Sequence, residues 1–94
     1  MIQSYGDTRT EKFAKGGRVK QFEPFRRPAE KVLDRLDASI SLIDIANYPG
    51  HRLEKLKGDR AGTFSIRINV QWRICFSWHD GSPGSEHVTI EDYH

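Results

Sequence analysis

The apolar residues of this chain change period once, at Pro49-Gly50, and that change orders everything else. Before it, Val32, Leu33, Leu36, Ile40 and Ile43 recur at spacings of three and four, which places them on one buried helical face. After it, Phe64, Ile66, Ile68 and Val70 alternate with Ser65, Arg67 and Asn69, and Trp72, Ile74, Phe76 and Trp78 alternate with Arg73, Cys75 and Ser77. A period of two belongs to strands that bury one face and expose the other. Helix first and strand afterwards predicts an α+β fold: two N-terminal helices packed on one face of a mostly antiparallel sheet, whose polar face stays open to a ligand.

Local signals fill in this frame. Ile2 to Tyr5 has the pattern of a short strand. Thr8-Arg9-Thr10-Glu11 has the spacing of a capping box, so a first helix is predicted from Thr8 to Lys15, anchored by Phe13 and stopped by Gly16-Gly17. Residues 17–27 read as basic and irregular. Pro28 suits the first turn of a second helix, where its missing N–H costs nothing. Residues 41–46 either continue that helix or form a separate turn, and Asn47-Tyr48-Pro49-Gly50 ends it. Arg52 to Leu56 is predicted as a strand, residues 57–62 as a glycine-bearing connection, and Val88 to Tyr93 as the last strand.

A length of 94 residues fits a single domain, 1–94, with one modest core, so any site lies on the sheet or between sheet and helix. No apolar run approaches the roughly 20 residues of a membrane span, and Met1 to Gly6 lacks a signal-peptide core, so no membrane partner is expected. Cys75 is the sole cysteine; it excludes an internal disulfide and fits a reducing cytoplasm, with small sheet filler as its expected role.

The formal net charge of +2 conceals a strong asymmetry. From Arg52 to Arg73, six basic residues (Arg52, Lys55, Lys57, Arg60, Arg67 and Arg73) face two acids (Glu54 and Asp59), a local charge of +4. From Asp80 to Asp92, the acids Asp80, Glu86, Glu91 and Asp92 meet no lysine or arginine, a local charge of −4. The basic segment is therefore a candidate phosphate-facing surface. If the strands carrying Arg67 and Arg73 pair as a hairpin, both guanidinium groups leave the same open face, and Lys57 and Arg60 approach from the preceding loop. Planar guanidinium suits bidentate contact with phosphate and the charge that builds on a phosphorane.

The chain closes on an acid, a phenol and an imidazole: Asp92, Tyr93 and His94. His94 is a candidate proton donor to a leaving oxygen, Asp92 its charge balance, and Tyr93 a stacking or phosphate-holding group. Glu54 is a candidate carboxylate base; against it, a carboxylate amid so many cations is a poor base, which favours a spectator. Other chemistries find no support. His51, His79, His87 and His94 lack ligand spacing, so no metal is expected, and there is neither a Walker pattern nor a G-x-S-x-G elbow.

The ordered string Pro49-Gly50-His51-Arg52-Leu53-Glu54-Lys55-Leu56-Lys57-Gly58-Asp59-Arg60-Ala61-Gly62, then Gln71-Trp72-Arg73-Ile74-Cys75-Phe76, then Asp92-Tyr93-His94, resembles the HigB toxins, the plasmid-maintenance killer branch of the RelE/ParE superfamily. The resemblance runs over essentially the whole chain. It implies a RelE-like microbial RNase fold and an endoribonuclease that cuts messenger RNA in the ribosomal A site. It implies no cofactor and no metal: the ribose 2′-OH attacks the adjacent phosphate and leaves a 2′,3′-cyclic product. The implied partners are a HigA-like antitoxin with a helix-turn-helix domain, the ribosome with its message and 16S rRNA, and operator DNA only through the antitoxin.

Carried over position by position, the resemblance assigns catalysis to Lys57, Arg73, Asp92, Tyr93 and His94. Arg52, Lys55, Arg60 and Arg67 are left as phosphate-binding cations from the charge pattern. One departure stands out. Where some relatives hold a catalytic histidine this chain has Glu54, and His51, three residues earlier, points to the opposite face of a strand. Either Glu54 takes the base role, or His94 and Asp92 move protons without it. Two rival functions remain: a ParE-like gyrase poison that performs no chemistry, against which Asp92-Tyr93-His94 argues, and a non-catalytic RNA-binding module.

Overall fold

The computed structural model describes residues 1–92; the predicted site residues Tyr93 and His94 lie outside the described residues. The predicted α+β architecture is present. Helices α1 (Thr8–Ala14), α2 (Arg26–Ala38) and the short α3 (Leu42–Ala46) precede strands β1 (Glu54–Lys55), β2 (Thr63–Arg67), β3 (Trp72–Ser77) and β4 (Glu86–Asp92). The four strands lie in chain order, every neighbouring pair antiparallel. Residues 3–6 run along the outer edge of β4, with Gln3 N donating to Ser85 O, Val88 N to Ser4 O and Gly6 N to Val88 O. Such pairing covers an edge that would otherwise expose unsatisfied backbone groups.

Helix α1 starts one residue earlier in its chemistry than the capping-box reading. Asp7, not Thr8, caps it: its backbone is extended and its carboxylate accepts from Thr10 N at 2.7 Å. Thr8 sits inside the first turn with Glu11, so the spacing signal is offset by one position. The helix ends as predicted. Gly16 adopts φ +89, and the Gly16 and Gly17 N–H groups return to Phe13 O and Lys12 O, a left-handed stop that glycine makes without steric cost.

Residues 17–27, irregular by sequence, contain a 3-10 turn, Lys20–Phe25, that drives Phe22 and Phe25 into the core. Phe22 meets Phe13 edge-on at 5.5 Å and Trp72 at 5.7 Å, while Phe25 stacks on Trp72 at 5.0 Å. Aromatic contacts of this kind join the helical half to β3. A buried hydroxyl adds a second join: Thr10 Oγ1, on α1, accepts from Ile90 N of β4 at 3.0 Å.

The apolar stripe of α2 is shorter than its spacing suggests. Val32, Leu33 and Leu36 are buried, but Ile40 and Ile43 are 77% and 69% exposed. Ser39 breaks the helix: its backbone turns extended and its hydroxyl returns to Arg35 O. With the phase reset, α3 is a separate turn that buries Ile45 instead.

On the sheet, Ile66, Ile74, Phe76, Val88 and Ile90 face the helices as their alternation predicts. Val70 does not. It lies beyond the end of β2, in the turn where Asn69 Oδ1 accepts from Gln71 N and Trp72 N, and is exposed. The strand expected over residues 52–56 reduces to Glu54–Lys55, because Arg52 takes φ +49, a left-handed conformation that leaves a ladder. His51 is buried and Glu54 exposed, on opposite faces as the sequence spacing implies.

Candidate functional site

Strand register assembles the polar face. Arg67 stands opposite Arg73 and Arg73 opposite Glu91, a row across β2, β3 and β4. One pleat along, Glu54, Ser65, Cys75 and Thr89 form a second row across all four strands. Directly opposed residues have Cβ atoms about 4.5 to 5.5 Å apart, so each row is a contiguous chemical surface.

The predicted open face is partly roofed. Ser65 and Cys75, on its polar phase, are 2% and 1% exposed. Arg73 reaches over Ser65, donating from Nη1 to its Oγ at 3.0 Å. Arg60 swings in from the 3-10 turn Gly58–Arg60 and grips Glu91 with two bonds of 2.7 Å. Hydrogen bonding from Arg60, helped by Thr89 Oγ1, holds the Glu91 carboxyl down at about 2. Burial beside these groups pushes the Cys75 thiol up to about 11, so it stays protonated and is no nucleophile near neutrality. Cys75 is therefore the sheet filler its sequence context suggests.

Above this roof lies a concavity of about 340 Å³ lined by Leu56, Lys57, Arg60, Arg73, Cys75, Glu91 and Asp92. Three of the residues proposed for catalysis, Lys57, Arg73 and Asp92, meet here, from a loop, a central strand and a strand end. Lys57 is exposed and makes no ion pair among the described residues, which leaves its ammonium available to an anion. Asp92 is placed opposite Trp72, and its Oδ2 accepts from Gln71 Nε2 at 3.0 Å.

A second concavity, of about 200 Å³, adjoins the first through Arg73 and is lined by Arg52, Glu54, Ser65, Arg67, Asn69, Val70 and Trp72 as well. Glu54 belongs to this one, not to the concavity that holds Lys57 and Asp92. Lys55 is exposed on β1 beside it, lining neither. Arg67 is braced by its own loop, donating from Nε to Asn69 O at 3.1 Å.

His51 is buried on the opposite, helical side. Arg35 Nη1 lies 3.1 Å from its Nε2, and its ring tilts against Tyr48 at 5.5 Å. Burial, then the charges of Arg35 and Lys31, lowers its affinity for a proton below the ordinary value. Neutral His51 thus accepts from Arg35 and serves packing.

Sequence reasoning does not single out Glu91, Ser65 or Gln71 as site residues. Only the outward phase of Glu91 in the alternation of β4 hints at it; the reach of Arg60 across 31 residues has no local signature. No group of three or more His, Cys, Asp or Glu side chains is gathered for a metal ion among the described residues. No helix among them is long and apolar enough to cross a membrane.

Residues 5–94 match the family model described as a RelE-like toxin of type II toxin-antitoxin system HigB. The chain is similar to Toxin HigB-1 of Vibrio cholerae serotype O1, at 45% identity over 51 residues, 54% of each chain. It is also similar to Endoribonuclease HigB of Proteus vulgaris, at 37% identity over 73 residues, 71% of this chain and 76% of that protein. The similarity thus spans about half the length of the Vibrio relative and three quarters of the Proteus one.

Proposed function

Because the chain belongs to the HigB-like family of RelE-like toxins of type II toxin–antitoxin systems, we propose that it is an endoribonuclease that stops translation by cutting messenger RNA in the ribosomal A site. The observation that carries this reading is the meeting of Lys57, Arg73 and Asp92 around one open concavity on a sheet face rich in cations. An RNA cleavage by 2′-OH attack must stabilise a phosphorane and move two protons, and cations beside titratable side chains supply both. Lys57 and Arg73 take the equatorial oxygens. Asp92 accepts the proton of the attacking 2′-OH, His94 protonates the leaving 5′-oxygen, and Tyr93 holds the substrate. Neutralisation falls to a HigA-like helix-turn-helix antitoxin, which alone carries the pair to operator DNA, and the site of action is the cytoplasm, where the ribosome and its 16S rRNA complete the substrate's alignment.

Glu54 is a spectator in this scheme, since it lines the neighbouring concavity rather than the one with Lys57 and Asp92. Primer extension on ribosome-bound message tests the whole reading: the toxin should produce new ends inside the coding region, and Glu54→Gln should produce them as fast as wild type. A slowing of about a hundredfold in Glu54→Gln, the usual cost of losing a general base, would return the base role to that carboxylate. Intact message together with broken DNA would instead establish a gyrase poison. Intact message with slowed primer passage would establish a binding module without catalysis.

A further inference from the structure

The cations of α2 are sorted by face. Arg26 is tied to Glu23 and Glu30, and Lys15 and Arg18 on nearby segments are also paired with acids. Arg27, Lys31 and Arg35 recur every four residues on another face, and none of them makes an ion pair among the described residues. At a rise of about 1.5 Å per residue they stand about 6 Å apart along the helix. Like charges at this spacing repel by a few tenths of a kcal/mol per pair, so the ridge is mildly destabilising to the fold alone.

These three side chains line a concavity of about 450 Å³ together with Arg67 and His51, and no acidic residue lines it. Arg35 is held in place there: its guanidinium lies over the Tyr48 ring at 4.6 Å and against His51 at 3.1 Å. Arg67 also lines the second concavity, and Arg73 links that one to the concavity of Lys57 and Asp92. A chain of basic side chains therefore leads from the proposed cleavage site by way of Arg73 and Arg67 to α2, with Glu54 beside it in the second concavity.

We propose that this path carries the RNA strand onward from the scissile phosphate, with Arg27, Lys31, Arg35 and Arg67 binding its sugar-phosphate backbone outside the cleavage site. The inference rests on the ribonuclease reading for the identity of the ligand. Charge complementarity and continuity with the cleavage concavity favour a nucleic-acid backbone. Base recognition has no platform here: Tyr48 is covered by Arg35 and His51 is buried, so the contacts fall to phosphate and tolerate any sequence.

The test is the salt dependence of binding to a fluorescein-labelled, uniformly 2′-O-methyl RNA 20-mer, which binds but cannot be cleaved through its 2′ position. Log affinity against log salt should be shallower in Arg27→Gln/Lys31→Gln by about 1.4, or about 0.7 for each single-strand phosphate that a cation no longer neutralises. The charge-keeping Arg27→Lys/Lys31→Arg should retain the wild-type slope, and Lys12→Gln/Lys20→Gln, cations outside the path, should retain it too. Each single variant, Arg27→Gln or Lys31→Gln, should lower the slope by about 0.7, so the result stands even if the double variant fails to fold.

No salt-dependent binding by wild type, an unchanged slope in the Gln variants, or an equal decrease in Lys12→Gln/Lys20→Gln overturns the path. Displacement of the RNA by a polyglutamate 20-mer at equal concentration also overturns it, reassigning the ridge to an acidic protein segment. Cleavage is scored separately. A toxin that fails to cut message but shows the slope change loses the catalytic reading and keeps the path, whereas one that cuts but shows no change loses only the path.

Discussion

Arg67 and Arg73 stand directly opposite each other on β2 and β3, an arrangement in which like charges destabilise a sheet. Each donates to a neutral oxygen, Asn69 O or Ser65 Oγ, which fixes the direction of its guanidinium. Arg60 donates twice to the carboxylate of Glu91. The two cations assigned to the cleavage concavity should fail differently. Lys57→Ala should slow cleavage by about two to three powers of ten, the usual cost of one transition-state charge stabiliser, with an unchanged denaturation midpoint. Arg73→Ala should slow it as much and also cost about 1 kcal/mol, because Ser65 Oγ is buried and loses its donor. Single-turnover cleavage and urea titration of both variants separate the effects; equal stability losses would mean that Ser65 finds another partner.

Helix α1 has only seven residues, too short to persist on its own, so its ends matter out of proportion to its length. Asp7 satisfies Thr10 N at one end, the Gly16-Gly17 turn closes the other, and Thr10 stitches the middle to β4. Asp7→Ala should therefore lower stability by about 1 kcal/mol, and Thr8→Ala, although it breaks the capping-box sequence, by a few tenths at most. Thermal melts of the two variants decide it. A larger loss in Thr8→Ala would move the cap back to the threonine. The same economy is visible at Ser39, where one hydroxyl returned to Arg35 O ends α2 and leaves Ile40 and Ile43 outside the core.

Across the whole molecule, the sheet divides two electrostatic regimes: a helical side that buries neutral His51 and a polar side that buries part of the Arg60–Glu91 pair. Both make the fold sensitive to acid. His51 binds a proton less readily when folded, so its contribution is fully present above the ordinary 6.5 and declines as pH falls below it. Glu91 is held at about 2 against an ordinary 4.5, so the stabilisation from its pairing is complete above 4.5 and is lost as pH falls toward 2. The pair is partly exposed and contributes about 1 kcal/mol or less after solvent screening. Urea midpoints at about pH 7.5, 5.5 and 3.5 should fall in two steps, with Glu91→Gln flattening the lower one and His51→Gln the upper. A single step unaffected by either variant would place the acid sensitivity elsewhere.

The residues alone are enough for the order of helices and strands, the alternating core of β2 and β3, the outward phase of Arg67 and Arg73, and the resemblance that names the family. All of these rest on near neighbours in the chain, where periodicity and motif spacing act. What the chain does not disclose is whatever depends on groups far apart in sequence or on one backbone angle. Arg60 meeting Glu91, Arg73 covering Ser65, the left-handed Arg52 that shortens β1, and the separation of Glu54 from Lys57 and Asp92 belong to that class. The charge sum over residues 52–73 counts Arg60 as one more phosphate-facing cation, because composition carries no information about partners. Only the folded sheet, by bringing β4 beside β3, places Glu91 within reach of Arg60 and so decides that this positive charge is already neutralised.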